Sequence, residues 1–515
     1  MFNPRERSQP IALLACLFVV YSLICGRASA APSITLSKKS GPPTSRILVS
    51  GRGFKPNVGV DIFFDTKDKA LVVSNGKGEF HDAGIHAPRS AYPGKHWVTA
   101  LERNNDKGAQ QPFLVQTNWS QFHFDADGTR LHPYENVLNP HTASGIGLKW
   151  SYTTGSDVAS SPAVTNGLVY FGAGDYNVYA LDAGTGAKVW SYTTGSFIAS
   201  SPAVANGIVY VGSWDGNVYA LDARTGAKVW SYPAGGTSSP AVANGIIYVG
   251  SSDSNVYALN ASGDELWSYT TGDQVRSSPA VVNGVVYIGS WDDNVYALNA
   301  NSGAKLWSYT TGNAVYSSPA VANGVVYVCS NDGNLYALNA NSGALLWSYA
   351  NGNTPGSTPA VANGVVYFAS VSFAGGSVSA LDASTGALLW SYSGPRFGDS
   401  SPAVANGVVY VGADNGNLYA LNARSGALIS TYATGADVQS SPSVANGVVY
   451  LGSDDGRVYA LGLARGEAAE RVASDRPDLK TLRPDFSLKV SKRSHRLRVR
   501  NSEVRGDNCR NQAIK

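Results

Sequence analysis

Between residues 148 and 463 there is not one histidine. All seven in the chain, His81, His86, His96, His123, His132, His141 and His495, lie outside that stretch. It therefore has no imidazole for general-base or metal-ligand work. Charged residues are scarce, 15% of the 515, against about 25% in ordinary soluble domains. Methionine occurs once, at position 1, and cysteine four times. Cys16 and Cys25 fall in an N-terminal apolar run, which leaves Cys329 and Cys509. A disulfide between these two is permitted outside the cytoplasm but not implied, because sequence carries no geometry. After that first run, no stretch is long and apolar enough for a membrane-spanning helix. What is abundant is glycine (56), tyrosine (28) and tryptophan (11). The two aromatic types favour strands, and a hydrophobic content of 43% excludes a disordered chain.

The net charge of +3 hides an asymmetry. Residues 148–463 carry nine basic and eighteen acidic side chains, whereas residues 464–515 carry fourteen and seven. An acidic body excludes a nucleic-acid surface there. At the N-terminus, Arg5 and Arg7 precede an apolar run over residues 11–25, and Ala28-Ser29-Ala30 follows. That pattern predicts a signal peptide over residues 1–31, with an uncleaved anchor as the alternative. Export to the periplasm or the extracellular space is the corresponding expectation.

The body is a repeat. Ser-Ser-Pro or a close variant ends at Pro162, Pro202, Pro240, Pro279, Pro319, Pro359, Pro402 and Pro442. In residues 200–232, the unit reads as a short strand beginning at Pro202, an Asn206-Gly207 hairpin turn, and a second strand over 208–213. A turn at Trp214-Asp215-Gly216 follows, then a third strand over 217–223 and a fourth over 228–232. Four antiparallel strands in about forty residues are one propeller blade. Tryptophans at the fourth-strand position are Trp150, Trp190, Trp230, Trp267, Trp307, Trp347 and Trp390, with Ser430 in the eighth place. Trp150 precedes any complete unit, and the last unit stops after its third strand. Residues 148–152 are thus expected to supply the outer strand of the final blade and close a ring of eight. The tryptophans are read as blade-docking residues.

Residues 180–190, 220–230 and 380–390 resemble the tryptophan-docking motif A-x-D-x-x-T-G-x-x-x-W of quinoprotein-type (PQQ-binding-like) β-propellers. The resemblance covers about 148–463, and residues 119–147 read as a lead-in and linker. Residues 32–118 are strand-like, and Gly51-Arg52-Gly53-Phe54 and Pro93-Gly94-Lys95-His96 resemble immunoglobulin-like (IPT/TIG-like) modules, which implies a small β-sandwich. Residues 464–515, with the basic run 489–500, read as a solvated, disordered tail. The fold class expected is all-β: an eight-bladed propeller of four-stranded blades preceded by a sandwich.

The quinoprotein resemblance implies pyrroloquinoline quinone with calcium as a cofactor. The family's dehydrogenases hold it with carboxylate and amide ligands, a basic side chain, a catalytic Asp and commonly a disulfide between adjacent cysteines. This sequence departs from that pattern. It has no Cys-Cys pair, one glutamate in the propeller (Glu265, on an outer strand) and few arginines. Asp175, Asp215, Asp253, Asp292, Asp332, Asp414 and Asp454 recur at one hairpin tip, which reads as turn chemistry. No catalytic residue and no metal ligand are assigned.

The connections that vary between blades, with the variable tips, define a candidate binding face: Tyr176, Phe197, Trp214, Arg276, Trp291, Tyr316, Arg396 and Phe397. The expected function is an exported, monomeric, non-enzymatic binding or scaffold protein for a protein or polymer ligand, with no nucleic acid. The alternative is a PQQ-dependent alcohol dehydrogenase of the polyvinyl-alcohol type.

Overall fold

The computed structural model describes residues 31–103, 105–351, 357–464, 476–485 and 488. The signal peptide, most of the basic tail and Cys509 lie outside the described residues, while Cys329 is buried in a second strand.

Eight sheets follow one another, each with four antiparallel strands, and in one of them the inner strand Ala403–Ala405 also takes Leu131–His132 as a parallel fifth. Blade 2 is typical: Ala203–Ala205, Ile208–Gly212, Val218–Asp222 and Lys228–Tyr232. Its first turn places Asn206 at φ 51° and Gly207 at φ 80°, the left-handed pair that a two-residue hairpin needs. Counting from the first complete unit, blade 1 begins at Ala163–Thr165, blade 3 at Ala241–Ala243 and blade 4 at Ala280–Val282. Blades 5, 6 and 7 begin at Ala320–Ala322, Ala360–Ala362 and Ala403–Ala405. Blade 8 consists of Ser443–Ala445, Val448–Ser453 and Arg457–Leu463, completed by Ile146–Thr153 from the start of the ring. This clasp pairs Trp150 with Ala460 and Tyr152 with Val458.

The inner strands start at the residue after the proline, alanine in seven blades and Ser443 in blade 8, because the two preceding hydroxyl residues have other partners. The first serine's oxygen accepts within its own blade, while the hydroxyls of Ser160, Ser238 and Ser400 donate to the carbonyl of the next blade's first serine. Ser160, Ser200, Ser238, Ser277, Ser317, Ser357, Ser400 and Ser440 each accept the N–H of the last core residue of the second strand, Gly172 in blade 1, at 2.7–3.1 Å. The second crosses to the next blade. The N–H of Ser161 donates to Ser201 Oγ, Ser201 to Ser239, Ser239 to Ser278 and Ser278 to Ser318. The series continues through Thr358, Ser401 and Ser441 and returns to Ser161 at 2.9 Å. Eight hydrogen bonds thus form an unbroken circle around the axis.

Outside that circle, tryptophan locks the blades. Each indole N–H donates to a carbonyl in the next blade, Trp150 to Ala183 and Trp190 to Ala223 at 2.9–3.0 Å. The ring lies on a turn glycine: a Cβ on Gly186 would stand 2.7 Å from the Trp150 indole. Trp230, Trp267, Trp307, Trp347 and Trp390 repeat the arrangement.

The lead-in fills the lower axial channel. Residues 117–132 run around the axis and pair with the free inner edges of the blades, which would otherwise leave N–H groups exposed. Trp119 exchanges both backbone hydrogen bonds with Val164. Val204, Val281, Val321, Val361 and Val404 donate to the carbonyls of Ser120, Ala126, Asp127, Thr129 and Arg130. Val242 donates to Gln121 Oε1, and Thr117 is bonded to Asn446 of blade 8.

Residues 33–115 form a separate unit. A three-stranded and a five-stranded sheet share one apolar core that includes Ile47, Val49, Val60, Ile62, Phe64, Val98 and Phe113. The tail differs from its sequence reading over 476–485, which pack onto this unit rather than standing in solvent. Leu482 is buried against Phe63 and Leu101, and Arg476 lies over Trp97. The reason is local: the short turn Leu479–Thr481 brings Leu479 and Leu482, three residues apart, to the same apolar patch.

Candidate functional site

The upper axial channel is an open cavity of about 400 Å³. Its floor is Phe122 of the lead-in and the serine–threonine circle. Its walls come from the two segments that differ between blades. In each blade concerned, the tip between the second and third strands hydrogen-bonds to the connection leading into that blade. Gly174 N–H donates to Asp157 O, Trp214 to Phe197, Trp291 to Gln274, Asp414 to Arg396 and Asp454 to Asp437. One backbone contact therefore sets both side chains on the same face.

On that face the structure brings several of the sequence-derived candidates together. Trp214, 54% exposed, packs against Phe197 with ring centroids 5.2 Å apart. The Arg276 guanidinium lies 4.2 Å from the Trp291 ring, and its Nε donates to Gln274. Tyr316 stands beside Trp291 at 6.1 Å. Tyr176 is exposed at the blade 1 tip. Arg396 is exposed and pairs with Asp414 at 3.3 Å. Phe397, by contrast with its sequence reading, is fully buried, packed edge-on against Tyr392 and Tyr419, because it holds the connection position that Val158, Ile198, Val275, Val315 and Val438 hold, and these too are buried. It cannot contact a ligand.

Of the recurrent tip aspartates, Asp253 accepts the Asn255 N–H and the Tyr257 hydroxyl, and the other six separate into two kinds. In Asp175, Asp215, Asp292 and Asp332, one oxygen accepts the N–H two residues on, and the other accepts a tyrosine hydroxyl and a glycine N–H from the preceding connection. Burial opposes ionisation of Asp215, but these donors outweigh it and hold the carboxyl below its usual range. That is turn chemistry. Asp414 and Asp454 are different, and the sequence reading misplaced them. The structural position in blades 7 and 8 belongs to Asn415 and Asp455. Asp454 instead sits where Trp214 and Trp291 sit, and lines the cavity.

Sequence reasoning also gave no site role to Asp157, Asp399 and Gln439, which line the same cavity. Gln439 Nε2 donates to one Asp454 oxygen at 2.8 Å, and the other oxygen is buried without a partner among the described residues. Burial first, then the neighbouring Asp157, Asp437 and Asp414, raise the Asp454 carboxyl to about 6. Burial and Asp414 also raise Asp399. Aligning the blades on the glycine after the tip, Gly216 with Gly456, would have exposed the Asp454 offset.

The profile of the family described as outer membrane protein assembly factor BamB matches residues 142–234, 186–278, 252–396 and 374–497, overlapping windows that take in the propeller. No curated protein matches the chain. Among solved structures, BamB from Moraxella catarrhalis is similar over 62% of this chain and 100% of its own, with 20% identity and a TM-score of 0.55. Quinohemoprotein alcohol dehydrogenase from Comamonas testosteroni is similar over 70% and 81%, with 19% identity and a TM-score of 0.59. The computationally designed Ika8 protein is similar over 60% and 98%, with 20% identity and a TM-score of 0.54. At these identities the likeness is one of fold.

Proposed function

The chain belongs to the family described as outer membrane protein assembly factor BamB, and on that premise we propose that it is an exported, non-enzymatic binding or scaffold protein. Its working surface is the upper propeller face. The observation that carries this reading is the contrast between the two faces. The Asn-Gly turns are nearly uniform around the ring, while the opposite face differs blade by blade in aromatic and charged residues around one cavity. Arg5, Arg7 and the apolar run behind them support export.

The alternative is quinone-dependent alcohol oxidation, which the quinohemoprotein likeness favours. The donor set in the channel speaks against it. Pyrroloquinoline quinone carries three carboxylates, and here it would meet Asp157, Asp399 and Asp454 with Arg276 as the cation lining the cavity. Like charges at such range destabilise binding unless a metal bridges them.

Two measurements test the reading. Incubation with the quinone and calcium, followed by an absorbance scan and a dye-linked alcohol assay, is expected to show no stoichiometric uptake; tight uptake with turnover establishes the dehydrogenase. A photo-crosslinking side chain at Trp214 is expected to capture a partner that the same group at Val189, on the outer rim, does not.

A further inference from the structure

We propose that the upper axial cavity binds a small dipolar molecule, an amine at one end and a carboxylate or comparable anionic group at the other. The inference rests on reading this cavity as a binding site. It adds the class of ligand.

The argument starts from ring geometry. In a circle of eight blades, blades 4 and 8 face each other across the axis. Arg276 immediately precedes Ser277, the first serine of blade 4. Gln439 and Asp454 belong to blade 8, Asp399 precedes the first serine of blade 7, and Asp157 lies in the connection into blade 1. The carboxylates are therefore centred on blade 8, and the guanidinium stands on the opposite wall. All of them line the same cavity of about 400 Å³.

Both poles are held in place. Arg276 is fixed by Trp291 beneath its guanidinium and by Gln274 at Nε. Asp454 is oriented by Gln439, and Asp157 accepts the Ser156 hydroxyl at 2.6 Å. The unpartnered Asp454 oxygen and the crowding of carboxylates around it are relieved by a cation at that wall. An anionic group at the other wall completes the Arg276 pairing. Between the poles, Phe197 and Trp214 offer an apolar side to a short hydrocarbon spacer. Phe122 closes the channel below, so the ligand is a compact molecule and not a threaded polymer.

The test is calorimetric titration of the whole chain with glycine, 4-aminobutanoate and 6-aminohexanoate, which span increasing distances between the charges. Butylamine and butanoate serve as single-charge controls. One amino acid of the series is expected to bind at least tenfold more tightly than either control. Arg276→Gln should reduce it to the level of butylamine, with Arg276→Lys restoring part of the difference. Asp157→Asn combined with Asp454→Asn should weaken both amines by tenfold or more and leave butanoate unchanged. Saturable binding of none of the five, binding that the variants do not alter, or butanoate matching the best amino acid overturns the proposal. If the Trp214 crosslink persists in that case, the face remains a platform for protein partners and the ligand assignment alone is lost. Quinone uptake with turnover removes both.

Discussion

Arg130 carries a positive charge to the centre of the molecule with no carboxylate partner among the described residues. It is fully buried, and its donors go to main-chain carbonyls: Phe122, Pro402 and Pro442 at 2.6–3.2 Å. It also lies over the Phe122 and Trp119 rings. Burial lowers its pKa to about 9, so the guanidinium stays charged at neutral pH and ties the lead-in to two blades. The nearby His132 shows the opposite response. Its Nδ1 accepts the Tyr134 N–H, which puts the ring proton on Nε2, and burial pushes its pKa down to about 4. An unfolded imidazole takes up its proton near 6.5. As pH falls from about 6.5 to 4, the unfolded chain gains that proton first, and on the order of 3 kcal/mol of stability is lost over that window. Asp125, raised to about 6 by burial and by Asp127, acts in the reverse sense over the same range. The residue-level readout is thus the informative one: NMR titration should find the His132 ring neutral down to about pH 4, and a midpoint near 6.5 would contradict the packing described. None of this was legible in the sequence, where the histidines could only be seen to avoid residues 148–463. Burial of a single side chain depends on where a non-repeating segment passes, and periodicity says nothing of that.

At the scale of the strand and turn, much more could be read. Alternation, Asn-Gly turns and the forty-residue period mark four strands per unit because each is a local physical requirement. What escaped was the division of labour within Ser-Ser-Pro. Two hydroxyl side chains in succession accept from different donors, the first from its own blade and the second from the blade before, and only the curvature of the ring separates them. The docking tryptophans obey a rule that also explains their exception. Each needs the next blade's turn between third and fourth strands, and blade 8 has none, since its fourth strand arrives from the other end of the ring. In the corresponding place stands the short turn Ala143–Gly145, and the Ser430 hydroxyl donates to Ala143 O at 2.8 Å. Trp190→Ala is expected to cost about 3–5 kcal/mol as a buried aromatic truncation. Ser430→Trp, which restores the motif, is expected to destabilise by overpacking against residues 143–145, by about 1–3 kcal/mol. Denaturant midpoints of the two variants decide this; a stabilised Ser430→Trp protein would mean the turn yields its place.

For the molecule as a whole, the clasp and the lead-in are the two devices that repetition alone does not supply. The clasp was legible, because a fourth-strand sequence without its own unit and a unit without its fourth strand are complementary. The occupied lower channel was not, since residues 119–132 carry no repeat of their own. Deleting residues 146–153 should leave blade 8 with three strands and strip Trp150 from the blade 1 turn. A large drop in melting temperature is expected; melting at the parent's temperature would show that the clasp is dispensable. The pairing of Leu148 with Leu461 has a further effect on timing. More than 300 residues separate the partners, and a ribosome adding about 5–20 residues per second needs roughly 15–60 s to supply the second after the first. For all that interval the early strand waits for a neighbour not yet made, so the circle can be joined only after its last unit has left the ribosome.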